Sequence, residues 1–360
     1  MEVPVISYNM SVFSAMGNTQ TEYVSEYSFL QRAEVVDGLK TTNFFQNALR
    51  HLGSTVKRID AKVIGIQEFH PPTLDMIKKT LNNPNYTYHA FSKEIKYNAA
   101  VLTIWDKTVL GEMESAHDED LGLTKGVDGL VDADKGRPIS IIKTMNGFTL
   151  INFHGINRPK YDKDGNETGV DNSSILKALI AKQCNLAGVS TRDANKIIIM
   201  CDSNDREHGI NMDAPIMIDG SKGTVRLHDG HTQADKSAKS CCYNWDSCGI
   251  PISGGKVTMG SAGAEQNYAY TGDYVLGANF KTPVTAESSM VLDDDGASME
   301  SDHKLVYAIL SIKPKVSIEY KENAFSYFGG RRTKKVKKTK KTKKTKKVKT
   351  LSIRQTHNSN

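Results

Sequence analysis

Residues 196–204 read KIIIMCDSN, an apolar run that ends in two polar residues, Asp202 and Asn204. A short apolar run between polar residues is typical of a strand that is buried on both faces. Polar side chains at the end of such a strand are held by a rigid sheet and can face a cleft. This stretch therefore predicts a buried strand with Asp202 and Asn204 at its exit.

The same pattern recurs along the chain and predicts the other strands. The further runs are a weaker one at 3–9, AKVIGIQE (61–68), AAVLTIW (99–105), PISIIKT (138–144), FTLINF (148–153), DYVLGANF (273–280) and KLVYAILSI (304–312). Met145, Asn146 and Gly147 predict a hairpin turn between two of these strands, because Asn-Gly favours the positive φ of a tight turn.

Apolar residues at helical spacing predict helices at 41–59, 72–82 and 173–188. Thr41 or Thr42 is expected to cap the first helix, since a threonine side chain can accept from the first free amides. The polar stretches that interrupt this pattern are expected to be surface loops or insertions. They are residues 10–40, 111–136 and 205–270.

The charge of the 360-residue chain is unevenly distributed. Residues 331–360 hold 14 Lys/Arg and no Asp/Glu, whereas residues 1–330 hold 33 basic and 41 acidic residues, a net charge of −8. From Arg331 a repeat of Lys-Lys plus Thr or Val fits neither a helix nor a strand. We therefore expect a folded domain at 1–313, a linker at 314–330 and a Lys-rich tail at 331–360 that is disordered when free.

Composition also bears on the compartment. The five cysteines (Cys184, Cys201, Cys241, Cys242 and Cys248) lack both a disulfide framework and the paired spacing of a zinc site. No uncharged apolar stretch approaches the ~18 residues of a transmembrane segment, and the N-terminus lacks the features of a signal peptide. These features predict an intracellular protein with reduced thiols, in the cytoplasm or the nucleus. The Lys-rich tail resembles low-complexity tails of large DNA viruses and leaves a virion or viral factory as the alternative.

Polar residues lie at one end of most of the predicted strands. They are Asn9, Glu68, His154, Asp202, Asn204, Asp273, Asp302 and His303. One such residue alone is most often a cap or turn residue, but their recurrence at strand ends predicts a shared cleft. Glu68 is a hard oxygen ligand suited to Mg²⁺, with Mn²⁺ as the alternative. Hydrolysis of a phosphodiester needs such a cation, an activated water and donors to the phosphoryl oxygens.

The order of the motifs YNM (8–10), IQE (66–68), NFH (152–154), CDSN (201–204), GDYV (272–275) and SDH (301–303) resembles the endonuclease/exonuclease/phosphatase superfamily. The resemblance covers about residues 3–313. It implies the deoxyribonuclease-I-like fold, a four-layer α/β–β/α sandwich. It also implies an Mg²⁺-dependent phosphoric-ester hydrolase.

The resemblance implies a metal site at Glu68, completed or supported by Asn9 and Asp302. It places His303 beside the scissile phosphate, with Asp273 as the carboxylate that orients the imidazole. A carboxylate behind an imidazole fixes its tautomer.

It implies further that Asp202 activates or positions the attacking water and that Asn204 donates to a phosphoryl oxygen. His154 corresponds to a second active-site histidine, and Arg137 to an arginine that contacts phosphate.

The sequence departs from the family pattern in three places. Asn98 falls near a family glutamate that orients the second histidine. Cys201 stands where glycine is common, and nothing suggests that it is a nucleophile. Gly155 replaces the usual leucine, which would widen the floor near the leaving group or leave Asn157 to add a substrate contact.

The tail favours nucleic acid as the substrate, because a Lys-dense arm contacts phosphate backbones without reading sequence. Two alternatives remain. A phosphoinositide phosphatase would use the same tail on an anionic membrane surface. A non-catalytic nucleic-acid-binding protein on a hydrolase fold would need no site, yet Glu68, Asp202, Asn204, Asp302 and His303 are all present.

Overall fold

The computed structural model describes residues 1–18, 32–95, 99–131, 134–156, 172–189, 191–204, 216–220, 223–227, 240, 272–287, 300–301 and 303–312. Met1–Pro314 form one compact unit. The proposed linker and the Lys-rich tail lie outside the described residues, so this division of the chain stays a prediction. None of the described helices is long and apolar enough to cross a membrane.

The strands and helices follow one another in chain order. The strands are β1 (Glu2–Asn9), β2 (Ala33–Val36), β3 (Leu39–Thr42), β4 (Val63–Phe69), β5 (Tyr86–Ala90), β6 (Ala100–Asp106), β7 (Met113–Asp120), β8 (Pro138–Thr144), β9 (Thr149–His154), β10 (Ile197–Asp202), β11 (Ile216–Gly220), β12 (Gly223–Leu227), β13 (Asp273–Leu276), β14 (Thr285–Glu287) and β15 (Leu305–Ser311). The α-helices are α1 (Val12–Ala15), α2 (Asn43–Ile59), α3 (Leu74–Leu81), α4 (Lys107–Leu110) and α5 (Asn172–Leu186). Each apolar run predicted to be a strand contains one, and each predicted helix is present.

Two large sheets carry the fold. The first sheet has six strands in the order β14-β15-β1-β4-β6-β5, and the second has five in the order β13-β10-β9-β8-β7. Parallel and antiparallel neighbours occur in both, since β1 is parallel to β4 and antiparallel to β15. Likewise β10 is parallel to β9 and antiparallel to β13.

Three apolar clusters hold four layers together. Helices α2 and α3 cover the outer face of the first sheet, where Leu52 of α2 packs with Ile66 of β4. Helix α5 covers the outer face of the second sheet through Leu179. Trp105 of the first sheet and Met200 of the second are buried between the inner faces. The predicted four-layer sandwich is confirmed.

Helix α2 begins and ends as its sequence predicts. The Thr42 side chain accepts a hydrogen bond from the Phe45 amide at 3.3 Å, which satisfies one of the free donors of the first turn. Asp60 follows the last turn in the left-handed conformation, and the next stretch enters β4.

A polar layer crosses the interior between the two sheets. Gln67 Nε2 donates to Asn152 Oδ1 at 2.8 Å and to Ser7 Oγ at 3.1 Å. Nearby, a Cβ on Gly65 would lie 2.6 Å from Cβ of Met200. Glycine therefore allows β4 and β10 to approach closely just below the strand ends.

The prediction that the three polar stretches are loops is wrong in part. Residues 111–136 contain β7, residues 10–40 contain α1 and most of the β2–β3 hairpin, and residues 205–270 contain the β11–β12 hairpin. β7 lies at an edge of its sheet, and Met113 to Ala116 are exposed. An exposed edge strand needs no alternation of apolar and polar residues, so the pattern misses it.

Candidate active site

The register of the strands brings the polar strand ends together. Parallel pairing places Asp202 at the end of β10 beside His154 at the end of β9. Antiparallel pairing places Asp273, the first residue of β13, opposite Asp202. In the first sheet Asn9 ends β1, and His303 lies just before β15. The cleft is therefore built from both sheets.

His303 and Asp273 form a buried pair. His303 Nδ1 lies 3.1 Å from Oδ1 and 3.0 Å from Oδ2 of Asp273. Because a carboxylate accepts, Nδ1 carries the proton and Nε2 faces the cleft. Burial raises the pKa of Asp273 to about 6, against the opposing effect of His303. Backbone amides of Gly272 and Asp273 donate to Ser240 Oγ at 3.1 and 3.0 Å.

Asp202 lies at the centre of the cleft. Its Oδ2 accepts from Asn9 Nδ2 at 2.9 Å and lies 3.6 Å from His303 Nε2 and 3.5 Å from His154 Nε2. Its Oδ1 accepts from the Asn204 amide at 2.8 Å. Burial alone would raise the pKa of Asp202, but the two imidazoles and these hydrogen bonds together lower it. Asp202 is therefore a carboxylate with two oriented oxygens.

Asn9 presents its amide nitrogen to the cleft. Its Oδ1 accepts from the Ser11 amide at 3.0 Å, while Nδ2 faces Asp202 and also lies 3.3 Å from His303 Nε2. In this arrangement Asn9 supports Asp202 from the first sheet. Its assignment to the metal site stays a prediction.

Glu68 reaches the cleft through a distortion of β4. The pairing of β4 with β6 shifts register between Ile66 and Phe69, and Glu68 has a φ of 52°. Such a positive φ is uncommon for a residue other than glycine and occurs often at functional sites. Glu68 Oε2 accepts from the Val12 amide at 3.0 Å, and Oε1 lies 3.8 Å from His154 Nε2.

Arg137 and His154 form the opposite side of the cleft. Arg137 Nη1 lies 2.8 Å from His154 Nε2. A guanidinium is always a donor, so this nitrogen of the imidazole accepts. Burial, followed by the charge of Arg137, lowers the pKa of His154 to about 3. His154 is therefore neutral at physiological pH.

Asp120 fixes the backbone that carries Arg137. Its Oδ1 accepts from the Arg137 amide at 3.1 Å, and its Oδ2 accepts from the Gly136 amide at 2.7 Å. The sequence analysis did not identify Asp120, because it lies at the end of β7, in a stretch predicted to be a loop.

Asn204 and Gly155 pack at the floor of the cleft. Asn204 has a φ of 51°, and its Nδ2 donates to the Gly155 carbonyl at 3.2 Å. A Cβ on Gly155 would lie 2.0 Å from the Ser203 carbonyl oxygen. The expectation that Gly155 widens the floor is therefore wrong, because the Ser203 backbone fills that space.

The remaining sequence predictions divide into two groups. Cys201 is buried, and burial raises the pKa of its thiol well above the ordinary value, so it stays protonated. Three predicted residues, Asp302, Asn98 and Asn157, lie outside the described residues, as do Cys241, Cys242 and Cys248.

The donor set fits a hard divalent cation. Asp202, Asp273 and His303 each offer a ligand atom, and these atoms lie within 4.8 Å of one another. The Nδ1 of His303 is hydrogen-bonded to Asp273. We therefore describe these three residues as a hydrogen-bonded chain rather than as a set of metal ligands. Glu68, whose side chain is 21% exposed, is the more open carboxylate. Carboxylate oxygens are the ligands that Mg²⁺ and Mn²⁺ prefer.

Several solved structures are similar to this fold. TDP2 from Caenorhabditis elegans gives a TM-score of 0.51 at 11% identity, covering 86% of this chain and 74% of that chain. An endonuclease/exonuclease/phosphatase family protein from Bacteroides thetaiotaomicron gives 0.50 at 15% identity, covering 87% of this chain and 98% of that chain. No protein-family model and no curated protein matches the sequence. The similarity shows a shared fold.

Proposed function

We propose, from the premise that this chain has the fold of the endonuclease/exonuclease/phosphatase superfamily, that it is a metal-dependent phosphodiesterase acting on nucleic acid. The observation that carries the proposal is the hydrogen-bonded series Asp273–His303–Asn9–Asp202. It joins strand ends from both sheets around one cleft.

The residues have complementary chemical roles in this proposal. Asp202, with its lowered pKa, is unprotonated at neutral pH and accepts a proton from the attacking water. His303, oriented by Asp273, lies where an imidazole can stabilise charge on the phosphate. Arg137 and Asn204 are donors suited to phosphoryl oxygens. His154 stays neutral and accepts a hydrogen bond from Arg137.

Glu68 would hold the divalent cation, with Asn9 and Asp302 in the supporting positions that the family resemblance implies. When bound, the cation supplies Lewis-acid stabilisation of the charge that develops on the phosphoryl group and the leaving oxygen.

The preference for nucleic acid rests on the sequence of the tail. Residues 331–349 contain 13 Lys/Arg, whereas residues 1–330 carry a net charge of −8. An acidic body repels a polyanion at long range, so a basic arm would supply the attraction. The same arm would bring a phosphatase to an anionic membrane. A substrate panel that includes a phosphoinositide distinguishes the two possibilities.

The test is a substrate panel with purified full-length protein. Supercoiled plasmid, single-stranded DNA, abasic duplex, RNA and a phosphoinositide are each incubated with Mg²⁺, Mn²⁺ or EDTA. We expect metal-dependent cleavage of at least one nucleic acid and none in EDTA. Hydrolysis of the phosphoinositide alone would exclude nucleic acid as the substrate. If no substrate is hydrolysed with any metal, the proposed hydrolase activity is wrong.

Two variants separate this site from a contaminating nuclease. Glu68→Gln and His303→Ala should each lower turnover by at least about 100-fold, since loss of a metal ligand or an acid–base group typically costs that much. Lys78→Ala is the matched control, because it removes an ion pair with Asp75 and a cation–π contact with Tyr88, neither of which belongs to the proposed site.

A further inference from the structure

A buried polar cluster lies behind the cleft, on the helix side of the first sheet. It consists of Tyr8, His51 and Glu300, which we call the rear cluster. The Tyr8 hydroxyl donates to Glu300 Oε2 at 3.0 Å, and His51 Nδ1 lies 2.6 Å from the same oxygen. The side chains of His51 and Glu300 are 3% and 2% exposed. No motif of the sequence analysis requires a glutamate at position 300.

The rear cluster joins the segments that carry two cleft residues. Tyr8 immediately precedes Asn9, and neighbouring residues of a strand point to opposite faces. Asn9 therefore faces the cleft while Tyr8 faces the helix layer, where it packs with residues of α2. Glu300 precedes His303 by three residues, so its carboxylate ties the His303 segment to β1 and α2.

Described residues that follow Glu300 are themselves held by hydrogen bonds. The His303 amide donates to Ser301 Oγ at 3.1 Å, and the Lys304 amide donates to the Ser240 carbonyl at 2.6 Å. These bonds restrain His303 against Ser301, and the Glu300 carboxylate, next to Ser301, is restrained by Tyr8 and His51. Movement of Glu300 would therefore be transmitted to the imidazole of His303.

The carboxylate of Glu300 is suited to this role because it is buried. A buried carboxylate is stable only when hydrogen bonds replace its lost hydration, so it is restricted to the place where its donors are. On the other side of the ring, His51 Nε2 makes no hydrogen bond among the described residues and lies 3.8 Å from Glu287 Oε1, so Nδ1 is the atom through which His51 is held.

We propose that Glu300, held by His51 and Tyr8, is a positioning residue that sets the place of His303 relative to Asp202. The kinetic test of this inference rests on the proposed hydrolase function. A displaced imidazole would still allow substrate to bind, since Arg137 and Asn204 lie on other segments. The expected signature is a fall in kcat with little change in KM.

Four variants test the proposal kinetically on the best substrate of the panel. Glu300→Ala should lower kcat by at least about 10-fold with KM within about twofold, since small misplacements of catalytic groups can cost up to about 100-fold. Glu300→Gln should keep most of the activity, because its amide oxygen can still accept from Tyr8 and His51. Tyr8→Phe should give a smaller loss than Glu300→Ala. Arg58→Ala, which removes the outer ion pair with Glu287 and the contacts with Tyr307 but none of the hydrogen bonds to Glu300, is the matched control.

Hydrogen–deuterium exchange gives a readout that does not depend on activity. The amides of His303 and Lys304 should exchange faster in Glu300→Ala than in the wild type, while amides of β10 should not change. If the wild type hydrolyses nothing on the panel, the proposed function fails, and the exchange experiment still decides the positioning role.

Three results would overturn the positioning role. The first is a folded Glu300→Ala protein with wild-type kcat and exchange. The second is a Glu300→Gln variant no better than Glu300→Ala, and the third is an equal loss in Arg58→Ala. If Glu300→Ala does not fold, Tyr8→Phe decides, because it removes a single hydroxyl. Wild-type kcat and exchange in Tyr8→Phe would then exclude the role.

Discussion

Arg137 and His154 are joined by a hydrogen bond of 2.8 Å between Nη1 and Nε2. The guanidinium that the family resemblance assigns to phosphate is thus already engaged with a neutral imidazole. A guanidinium has five N–H donors, so a phosphate can bind Arg137 through the donors that His154 leaves unused. The protonation of His154 is consequently coupled to Arg137.

Arg137→Gln should raise the pKa of His154. Burial is the larger cause of the lowered pKa, about 3, and the charge of Arg137 is the second. Removing the positive charge favours the imidazolium, so the pKa should rise but stay below its ordinary value. Histidine NMR titration measures it, with Arg58→Gln as a control for loss of a distant charge. An unchanged His154 titration in Arg137→Gln would refute the coupling.

Asp273→Asn should give a defect smaller than that of His303→Ala. The asparagine can still orient the imidazole through its side-chain oxygen but cannot stabilise a positive charge on it. We expect a loss of turnover between about 10-fold and 100-fold, with the fold retained. Steady-state kinetics and circular dichroism check both statements. An Asp273→Asn enzyme as active as the wild type would show that the pair plays no part in turnover.

Gly155→Ala should disrupt the floor of the cleft. The added Cβ would lie 2.0 Å from the Ser203 carbonyl oxygen, so the segment that carries Asp202 and Asn204 must shift. Both activity and melting temperature should fall. Gly38→Asn is the control, because an added Cβ at Gly38 meets nothing within 4 Å and asparagine tolerates its positive φ. Wild-type activity in Gly155→Ala would show that the segment can move freely.

Asp118 should make the protein sensitive to acid. Burial raises its pKa, but hydrogen bonds from His89, Ser92 and Ser140 outweigh this and lower it to about 2. A depressed carboxyl pKa stabilises the fold above the unfolded pKa of about 4, and the contribution is lost as pH falls towards 2.

Asp118→Asn should therefore lower the free energy of unfolding at pH 7 by at most about 2 kcal/mol, and the difference should vanish near pH 2. Urea unfolding at several pH values measures it. Asp75→Asn, at a side chain that is 94% exposed, is the matched control for the loss of one carboxylate. A constant difference across the pH range would assign the effect of Asp118→Asn to packing alone.

Deletion of residues 331–360 should weaken nucleic-acid binding and flatten its salt dependence. Each phosphate neutralised contributes about −0.9 to the log–log salt slope, and the deleted segment carries 14 Lys/Arg. Turnover of a saturating short substrate should change little, since the tail contains none of the motif residues assigned to the site. Binding of full-length and truncated protein to one oligonucleotide across a salt series measures the slope. Equal slopes would mean that the tail does not engage nucleic acid, and loss of vesicle binding would favour the membrane alternative.

The sequence predicts the strands of this site well because they are buried on both faces. β10 is apolar throughout and ends at Asp202, so its limits follow from the pattern alone. Edge strands such as β7 are not predicted, because an exposed strand needs no alternation of apolar and polar residues. The left-handed backbone conformation of Glu68 is not predicted either, since the residues IQE (66–68) do not differ from those of an ordinary strand.

Supporting residues were missed for a different reason. Glu300 meets Tyr8 across 292 positions of the chain, and Asp120 reaches Arg137 across 17. An acidic residue among other polar residues carries no periodic signal, and its partners become visible only when the chain has folded. Motifs therefore locate the groups that face the cleft, while the groups behind them require coordinates.

The cleft is divided between two sheets, since Asn9 ends β1 and His303 lies just before β15 of the first sheet, whereas Asp202 and Asp273 belong to strands of the second. The distances between these side chains consequently depend on the relative position of the two sheets. On heating, small relative movements would separate the halves before either sheet melts. Enzymatic activity should then be lost at a lower temperature than the circular-dichroism signal of the strands.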